Sequence, residues 1–325
     1  MPECFIVQPI HPAGLERLRA GGVTPRIATA HDMATVAREI PGCVAVITRN
    51  AGLDAAAMDA APELRIIANH GVGTNKIDLK HAAELGIPTV FTPMANARSV
   101  AEHAIALMLA LARKVIPADA AVRRCDWALR YEARMMELHG RTLGLVGFGT
   151  IGRMTAAIAR NGFGMELLVF SPNAPDHALA KASARRAPTL EALLETADVV
   201  SLHRPLRPDT RNTIDAAALA RMKPTALLVN TARGELVDTA ALAAALAEGR
   251  IAGAAQDVFK VEPAPADEPL LHAPNTVLSP HIGGVTEEAM RETALQCADQ
   301  ILDVLAGRRP PHLVQPEVWE RRRQP

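Results

Sequence analysis

The sequence is short of several things, and each shortage excludes something. Aromatic residues make up only 3 % of it, with two Trp and one Tyr. Such a chain has no stacking surface for single-stranded nucleic acid, and its core must come from Ala, Leu, Val and Ile. Charge of one sign is missing: Lys plus Arg and Asp plus Glu each count 35, which removes a broad electrostatic reason to expect nucleic acid as a partner. Cysteine is scarce. Cys4, Cys43, Cys125 and Cys297 stand apart with no C-x-x-C and no ligand spacing, a pattern of reduced thiols rather than of a disulfide frame or a metal site. Long apolar runs are absent as well; the longest, Ala104 to Ala112, is far too short to span a bilayer. The start, Met1-Pro2-Glu3-Cys4-Phe5, leads directly into an apolar strand. No secretory signal and no membrane partner are expected, and the expected location is cytoplasmic.

What is present is a regular alternation of apolar runs and helical stretches over 325 residues, enough for two domains. The alternation is organised around residues 142–171. Thr142-Leu143-Gly144-Leu145-Val146 has the length of a buried parallel strand. It runs into Gly147-Phe148-Gly149-Thr150-Ile151-Gly152, which fits G-x-G-x-x-G, and then into a helical stretch from Arg153 to Asn161 and a second strand, Glu166 to Phe170. In that order, the first glycine allows a tight turn, the second lets backbone approach a pyrophosphate, and the third lets helix pack on strand. The helix N-terminus then holds the phosphates. Dinucleotide binding is the expectation. The place about 20 residues on, where an acidic residue commonly meets the ribose 2′-OH, holds Ser171, followed by Pro172 and Asn173. The choice between NAD and NADP therefore stays open.

Residues 1–98 alternate strands (Phe5–Val7, Val44–Ile47, Arg65–Ala68, Pro88–Phe91) with helices (Gly14–Ala20, Leu53–Ala60, Asp78–Leu85). That βαβ rhythm predicts a parallel sheet covered on both faces. Ser99 to Arg113 reads as one long helix with a Ser-x-x-Glu capping box at Ser99 and Glu102, apolar on nearly all sides: a buried connector between domains. Residues 118–139 are more polar, contain Trp127 and read as a surface arm. From Thr142 onward, strands at Asp198–Leu202, Ala226–Asn230, Ile251–Val258 and Thr276–Ser279 complete a six-strand doubly wound sheet. Thr286 to Ala306 is a final helix able to return the chain to the first domain, and Arg321-Arg322-Arg323 is expected to be a frayed, solvated end.

Ligands of open α/β sheets sit at the carboxyl ends of strands. Three polar residues stand there. Arg233, in Asn230-Thr231-Ala232-Arg233-Gly234, can grip a substrate carboxylate with two parallel hydrogen bonds. His281, in Pro280-His281-Ile282-Gly283-Gly284, can give and take the proton on a carbonyl oxygen while hydride moves at carbon. Glu262, in Asp257-Val258-Phe259-Lys260-Val261-Glu262-Pro263, would orient an imidazole and favour its charged form. A surface ion pair, a structural histidine and an exposed loop glutamate are the bland alternatives.

Together these blocks, with Gly71-Val72-Gly73-Thr74-Asn75-Lys76-Ile77-Asp78 and Val100-Ala101-Glu102-His103, resemble the D-isomer-specific 2-hydroxyacid dehydrogenases across roughly residues 44–290. The resemblance implies an α/β protein with a doubly wound Rossmann cofactor domain at 99–286, a smaller flavodoxin-like substrate domain at 1–98 plus 287–325, and a cleft between them. It implies that Arg233 orients the substrate, that His281 is the acid/base with Glu262 behind it, and that the Val72-Gly73-Thr74 loop takes the substrate carboxylate through backbone N–H groups. Cofactor contacts would come from Gly147 to Gly152, Ser171, His203, Pro205, Thr210, Thr231, Ala232, Asp257, His281 and Gly284. The expected reaction moves a hydride between NAD or NADP and a small 2-hydroxy or 2-keto acid of the hydroxypyruvate, glyoxylate or 3-phosphoglycerate type, with no metal. A homodimer joined through the cofactor domain is implied too. The Thr-Asn-Lys-Ile-Asp run looks most like the phosphoglycerate dehydrogenase branch, though no extra regulatory domain is seen after Ala306. Arg49, after the Val44–Thr48 strand, is a candidate to meet a phosphate or second acidic group, with an ordinary exposed strand-end Arg as the alternative. Departures from the family pattern are Ser171, Met94, Arg204 and Gln256. The alternatives are a non-catalytic NAD(H)-sensing protein of the same fold and a relative oxidising formate or phosphite; the latter is disfavoured because formate dehydrogenases carry Gln where Glu262 stands.

Overall fold

In the computed structural model, which describes residues 1–323, the chain divides into two units: Met1–Asn96 with the chain from Gly284 on, and Ala97–Gly283. The first is built on five parallel strands, β1 (Glu3–Ile6), β2 (Thr24–Ile27), β3 (Ala45–Thr48), β4 (Ile66–Asn69) and β5 (Thr89–Val90), in the order β2-β1-β3-β4-β5. Successive residues feed opposite faces. Cys4, Ile6, Ile47, Ile66 and Ala68 pack under the final helix, Glu287–Leu305. Phe5, Val46 and Ile67 form the core on the other face. Helices α1 (Pro12–Ala20), α2 (Met33–Glu39), α3 (Ala55–Asp59) and α4 (Leu79–Glu84) cover the sheet. Asp32, Asp54 and Asp78 accept from backbone N–H groups of the first turns of the last three, each cap contributing about 1 kcal/mol.

Strand β2 and helix α2 lie in a stretch where the sequence pattern gives no sign of them. β2 is an edge strand carrying Pro25, with none of its residues buried, so it lacks the apolar alternation by which strands are recognised, and an edge is where Pro is tolerated. The tail also differs from expectation. Arg321–Arg323 is docked rather than frayed: the Arg322 guanidinium lies 3.8 Å from the Trp319 ring, and the Arg323 main-chain N–H donates to the Gly86 carbonyl at 2.8 Å. Arg323 Nη1 donates to the carbonyls of Pro62 and Leu64 at 2.8 and 3.2 Å. Trp319, 7 % exposed in the core of this unit, is the anchor.

The second unit begins with helix α5 (Ala97–Ala112), followed by α6 (Val115–Arg123) and α7 (Leu129–Glu132). Because α5 starts at Ala97, Ser99 lies inside its first turn and is not the cap, while Glu102 pairs with Arg98 at 2.5 Å. The sheet has seven parallel strands rather than six: β6 (Thr142–Val146), β7 (Glu166–Phe170), β8 (Arg185–Arg186), β9 (Val199–Leu202), β10 (Leu227–Asn230), β11 (Gly253–Gln256) and β12 (Thr276–Leu278). Their order is β12-β11-β10-β9-β6-β7-β8. The extra strand, β8, is two exposed arginines on the edge, with no apolar signal to announce it. Helix α8 (Thr150–Phe163) begins three residues earlier than the apolar pattern suggests. Leu143, Leu145, Val169, Val199 and Val229 pack under α5 and α8, while Val146, Leu168, Val200 and Leu228 pack on the other face. The two cores trap the sheet between helical layers, which fixes the strand ends where polar residues gather. Among the described residues no helix is long and apolar enough to cross a membrane.

Candidate active site

The carboxyl end of β6 leads into the glycine turn. Gly147 has φ +102, and a Cβ there would stand 2.5 Å from the His203 carbonyl oxygen; a Cβ on Gly152 would stand 2.7 Å from the Gly147 oxygen. Both positions are closed by packing. Gly149 is different: a Cβ there would meet nothing within 4 Å. It is the N-cap of α8 and brings no side chain to the helix terminus, so the first N–H groups have no side-chain cap. Phe148 is buried, and Thr150 and Ile151 form the first turn of α8. This bare helix start with room above Gly149 fits a dinucleotide pyrophosphate.

Ser171 follows β7 with no carboxylate beside it on the strand end. Arg186, on the neighbouring edge strand, donates to the carbonyls of Ser171 and Ala174 at 3.1 and 2.6 Å and pairs with Asp176 at 2.7 Å. The turn is thus stapled by a guanidinium. After β9, His203 Nε2 lies 2.9 Å from the Ser201 hydroxyl, and burial pulls its pKa down to about 4, so it is a neutral ring at physiological pH. Pro205 and Thr210 shape the loop that follows: the Thr210 hydroxyl donates to the Pro205 carbonyl at 2.9 Å and accepts from the Arg207 N–H at 2.7 Å. At 1 % exposure Thr210 acts within the loop.

After β10, the buried Asn230 amide donates to the Arg233 carbonyl at 2.9 Å and its oxygen accepts from the Ala232 N–H at 3.0 Å. That closed turn holds Thr231 and Ala232 and aims Arg233. Burial pulls the Arg233 guanidinium below its ordinary pKa, with Glu262 and Glu235 acting in the opposite sense.

The end of β11 and the end of β12 are joined through Asp257, which is 1 % exposed. Its carboxylate accepts from the Ser279 hydroxyl at 2.6 Å and from the N–H groups of Ile282 and Gly283 at 2.9 Å each. His103, on α5, places Nε2 at 3.0 Å from the Ser279 oxygen and 3.3 Å from Asp257. Since Ser279 gives its proton to Asp257, the His103 ring must be the donor to Ser279. Burial pushes the Asp257 carboxyl up, but donation from His103, Ser279 and the two N–H groups outweighs it, leaving the group below the ordinary carboxylate range. These bonds tie down the turn that carries His281, whose φ of +56 is uncommon for any residue but glycine. The His281 N–H donates to the Asp257 carbonyl at 2.7 Å.

In that position His281 Nδ1 lies 3.0 Å from both Glu262 oxygens. The Phe259 N–H donates to Glu262 at 3.1 Å and keeps the carboxylate in place. With Nδ1–H given to the carboxylate, Nε2 is the ring nitrogen left for proton exchange.

The first unit carries the other candidates. Arg49, after β3, donates from Nη1 to the Pro9 carbonyl at 2.9 Å, and burial lowers its pKa. His70, after β4, is held near pKa 4 by burial, with Arg49 adding to the effect. The N–H groups of Val72, Gly73 and Thr74 have no hydrogen-bond partner among the described residues, three successive donors of the kind that cradle an anion. Gly284 belongs to this unit, backed against Asn96. Among the described residues no group of three His, Cys, Asp or Glu could hold a metal ion.

His103, Ser279 and Asn230 are functional candidates that motif reading passed over as framework. Ser279 and Asn230 sit at strand ends, which was their available signal; His103 closes the block Val100-Ala101-Glu102-His103, so its signal was motif resemblance, while its partner Asp257 lies 154 residues further along the chain.

Residues 105–283 match the family described as D-isomer specific 2-hydroxyacid dehydrogenase, NAD binding domain. A glyoxylate reductase of Korarchaeum cryptofilum is 43 % identical over 82 % of this chain and 80 % of its own length. A D-3-phosphoglycerate dehydrogenase of Methanocaldococcus jannaschii is 36 % identical over 94 % of this chain and 58 % of its own length. The crystal structure of an NADPH-dependent glyoxylate/hydroxypyruvate reductase from Sinorhizobium meliloti, in complex with NADP and malonate, superposes with a TM-score of 0.86 at 29 % identity, covering 100 % of this chain and 99 % of that one.

Proposed function

The chain belongs to the D-isomer-specific 2-hydroxyacid dehydrogenases, and from that premise we propose which of its groups do the work of an oxidoreductase that moves a hydride between a nicotinamide cofactor and a small 2-hydroxy or 2-keto acid. The observation that carries the assignment is the His281–Glu262 pair, with Nδ1 at 3.0 Å from both carboxylate oxygens, in the same unit as the open glycine turn. Ala97–Gly283 is the dinucleotide-binding unit in this reading, with the pyrophosphate over Gly149 at the start of α8. The bound nicotinamide supplies or accepts the hydride. Arg233 holds the substrate carboxylate and polarises the carbonyl. His281 Nε2 gives the proton to the carbonyl oxygen during reduction and takes it back in the reverse direction, while Glu262 holds the ring in place. In this reading the N–H groups of Val72, Gly73 and Thr74 are carboxylate donors.

The coenzyme site accepts both NAD and NADP in this reading. Ser171 puts no negative charge against a 2′-phosphate, and the nearby Asp176 is paired with Arg186. Arg49 has no carboxylate partner among the described residues, which favours a substrate with a second acidic group such as phosphate. Exposed Val115, Ile116, Val122, Trp127 and Tyr131 on and between α6 and α7 favour a homodimer through that arm. Four free cysteines fit a cytoplasmic protein.

The test is oxidation of NADH and NADPH with glyoxylate, hydroxypyruvate, 3-phosphohydroxypyruvate, pyruvate and phenylpyruvate, followed by absorbance of the reduced nicotinamide. Turnover that disappears in His281→Ala while dinucleotide still binds supports the assignment. Tight dinucleotide binding with no turnover of any acid would replace it by a non-catalytic sensor.

A further inference from the structure

Both units end a strand on an asparagine that turns its amide back onto the following loop. Asn230 does this for the turn carrying Arg233. The other is Asn69, the last residue of β4, 3 % exposed. Its Nδ2 donates to the main-chain oxygens of Gly71 and Gly73 at 2.9 and 3.3 Å, and the Thr92 N–H donates to the Gly71 oxygen as well, at 3.1 Å. A trans peptide is planar, with its C=O and N–H pointing in opposite directions. The Gly71 carbonyl shares its peptide with the Val72 N–H, and the Gly73 carbonyl with the Thr74 N–H. Drawing both carbonyls inward to one amide therefore drives both N–H groups away from it. Neither N–H has a partner among the described residues.

We propose that Asn69 is a positioning residue for the substrate carboxylate: it touches no substrate, and its amide sets the Val72 and Thr74 N–H groups as donors. The inference rests on the reading of 72–74 as the carboxylate-binding loop. An amide is required because, among side chains of this size and shape, only the NH2 of Asn can donate to two carbonyls. Asp, of nearly the same shape, would set a carboxylate against both oxygens and turn the loop. Burial and the two carbonyls would raise the pKa of that Asp, and its protonated form regains one O–H donor.

The test is steady-state kinetics of Asn69→Asp, Asn69→Ala and Val72→Pro in the full chain across a pH series, with dinucleotide affinity from fluorescence titration and folding from thermal melts. Asn69→Asp should raise KM for the 2-keto acid about ten- to hundredfold at alkaline pH, the worth of one or two charge-assisted hydrogen bonds. Its kcat and dinucleotide Kd should stay near wild type. Its KM relative to wild type should fall as pH drops, a recovery that a merely structural role does not produce. Asn69→Ala should raise KM without that relative pH dependence, and it carries the test if Asn69→Asp does not fold. Val72→Pro removes one of the donors and should raise KM whatever Asn69 does. A raised KM in Val72→Pro with wild-type KM in both Asn69 variants overturns the inference alone. Wild-type KM in Val72→Pro overturns the loop reading on which it rests.

Discussion

Substituting Gly149 by Ala separates a ligand's need for glycine from the fold's need. At Gly147 and Gly152 an added Cβ would lie 2.5 and 2.7 Å from backbone oxygens, so alanine there must damage the fold itself. At Gly149 the same atom meets nothing within 4 Å, and φ is −73, a value any residue adopts. Alanine at such a position restricts the unfolded chain and should stabilise by up to about 1 kcal/mol, less whatever the helix start loses by exchanging its N-cap glycine. The thermal midpoint should therefore move by no more than about 2 °C either way. Binding should behave differently. If the pyrophosphate lies over Gly149, the methyl occupies its place and forces it away from the N–H groups of α8. Loss of one charge-assisted hydrogen bond is worth about 1.5–3 kcal/mol, or about a tenfold to 150-fold weaker Kd. Calorimetric titration of NADH and NADPH, beside a melt of the same preparation, measures both quantities. A Kd within twofold of wild type would refute the placement of the pyrophosphate. A large fall in melting temperature would refute the claim that Gly149 faces open space.

Other outcomes follow from the same geometry. His281→Ala should lower kcat about 10²- to 10⁴-fold, the range for loss of a general acid, with dinucleotide still bound; Glu262→Gln should cost less, since the ring keeps a hydrogen-bond partner, and an equal loss in both would contradict the roles given. Acid should destabilise the protein before its carboxylates titrate. His70 and His203 are held near pKa 4 in the fold against 6.5 outside it, so the unfolded chain binds more protons between those values and stability falls as pH drops through that window. At pH 5 the two together would remove about 4 kcal/mol; denaturant titrations at pH 7 and 5 measure it, and His203→Gln should remove about half the difference. Arg323→Ala removes donors to Pro62 and Leu64 and should lower stability by about 1 kcal/mol; an unchanged denaturation midpoint would return the tail to a solvated end.

The features legible in the sequence were those whose partners lie a few residues apart. The glycine turn and the strands β6 and β7 on either side of α8 express short-range rules of backbone sterics and apolar period, and β6 and β7 form over the expected residues. Strands without an apolar face were invisible for the same reason: β2 and β8 exist because a neighbouring strand offers its edge, not because their own residues ask for it. Ser99 matched a capping pattern, yet the helix began two residues earlier, with Ala97 and Ala101 both fully buried. Motif resemblance named Glu262 and His281, but their 3.0 Å approach depends on the Asp257 network that holds His281 at positive φ. That network draws on α5, β11 and β12, and the docking of Arg323 draws on chain more than 250 residues away. Sequence alone determined the order of the elements that carry an apolar face and the chemical groups at their strand ends. Tertiary structure decided which of those groups share hydrogen bonds, because a buried carboxylate or amide takes its partners from whichever segments the packed sheet brings beside it.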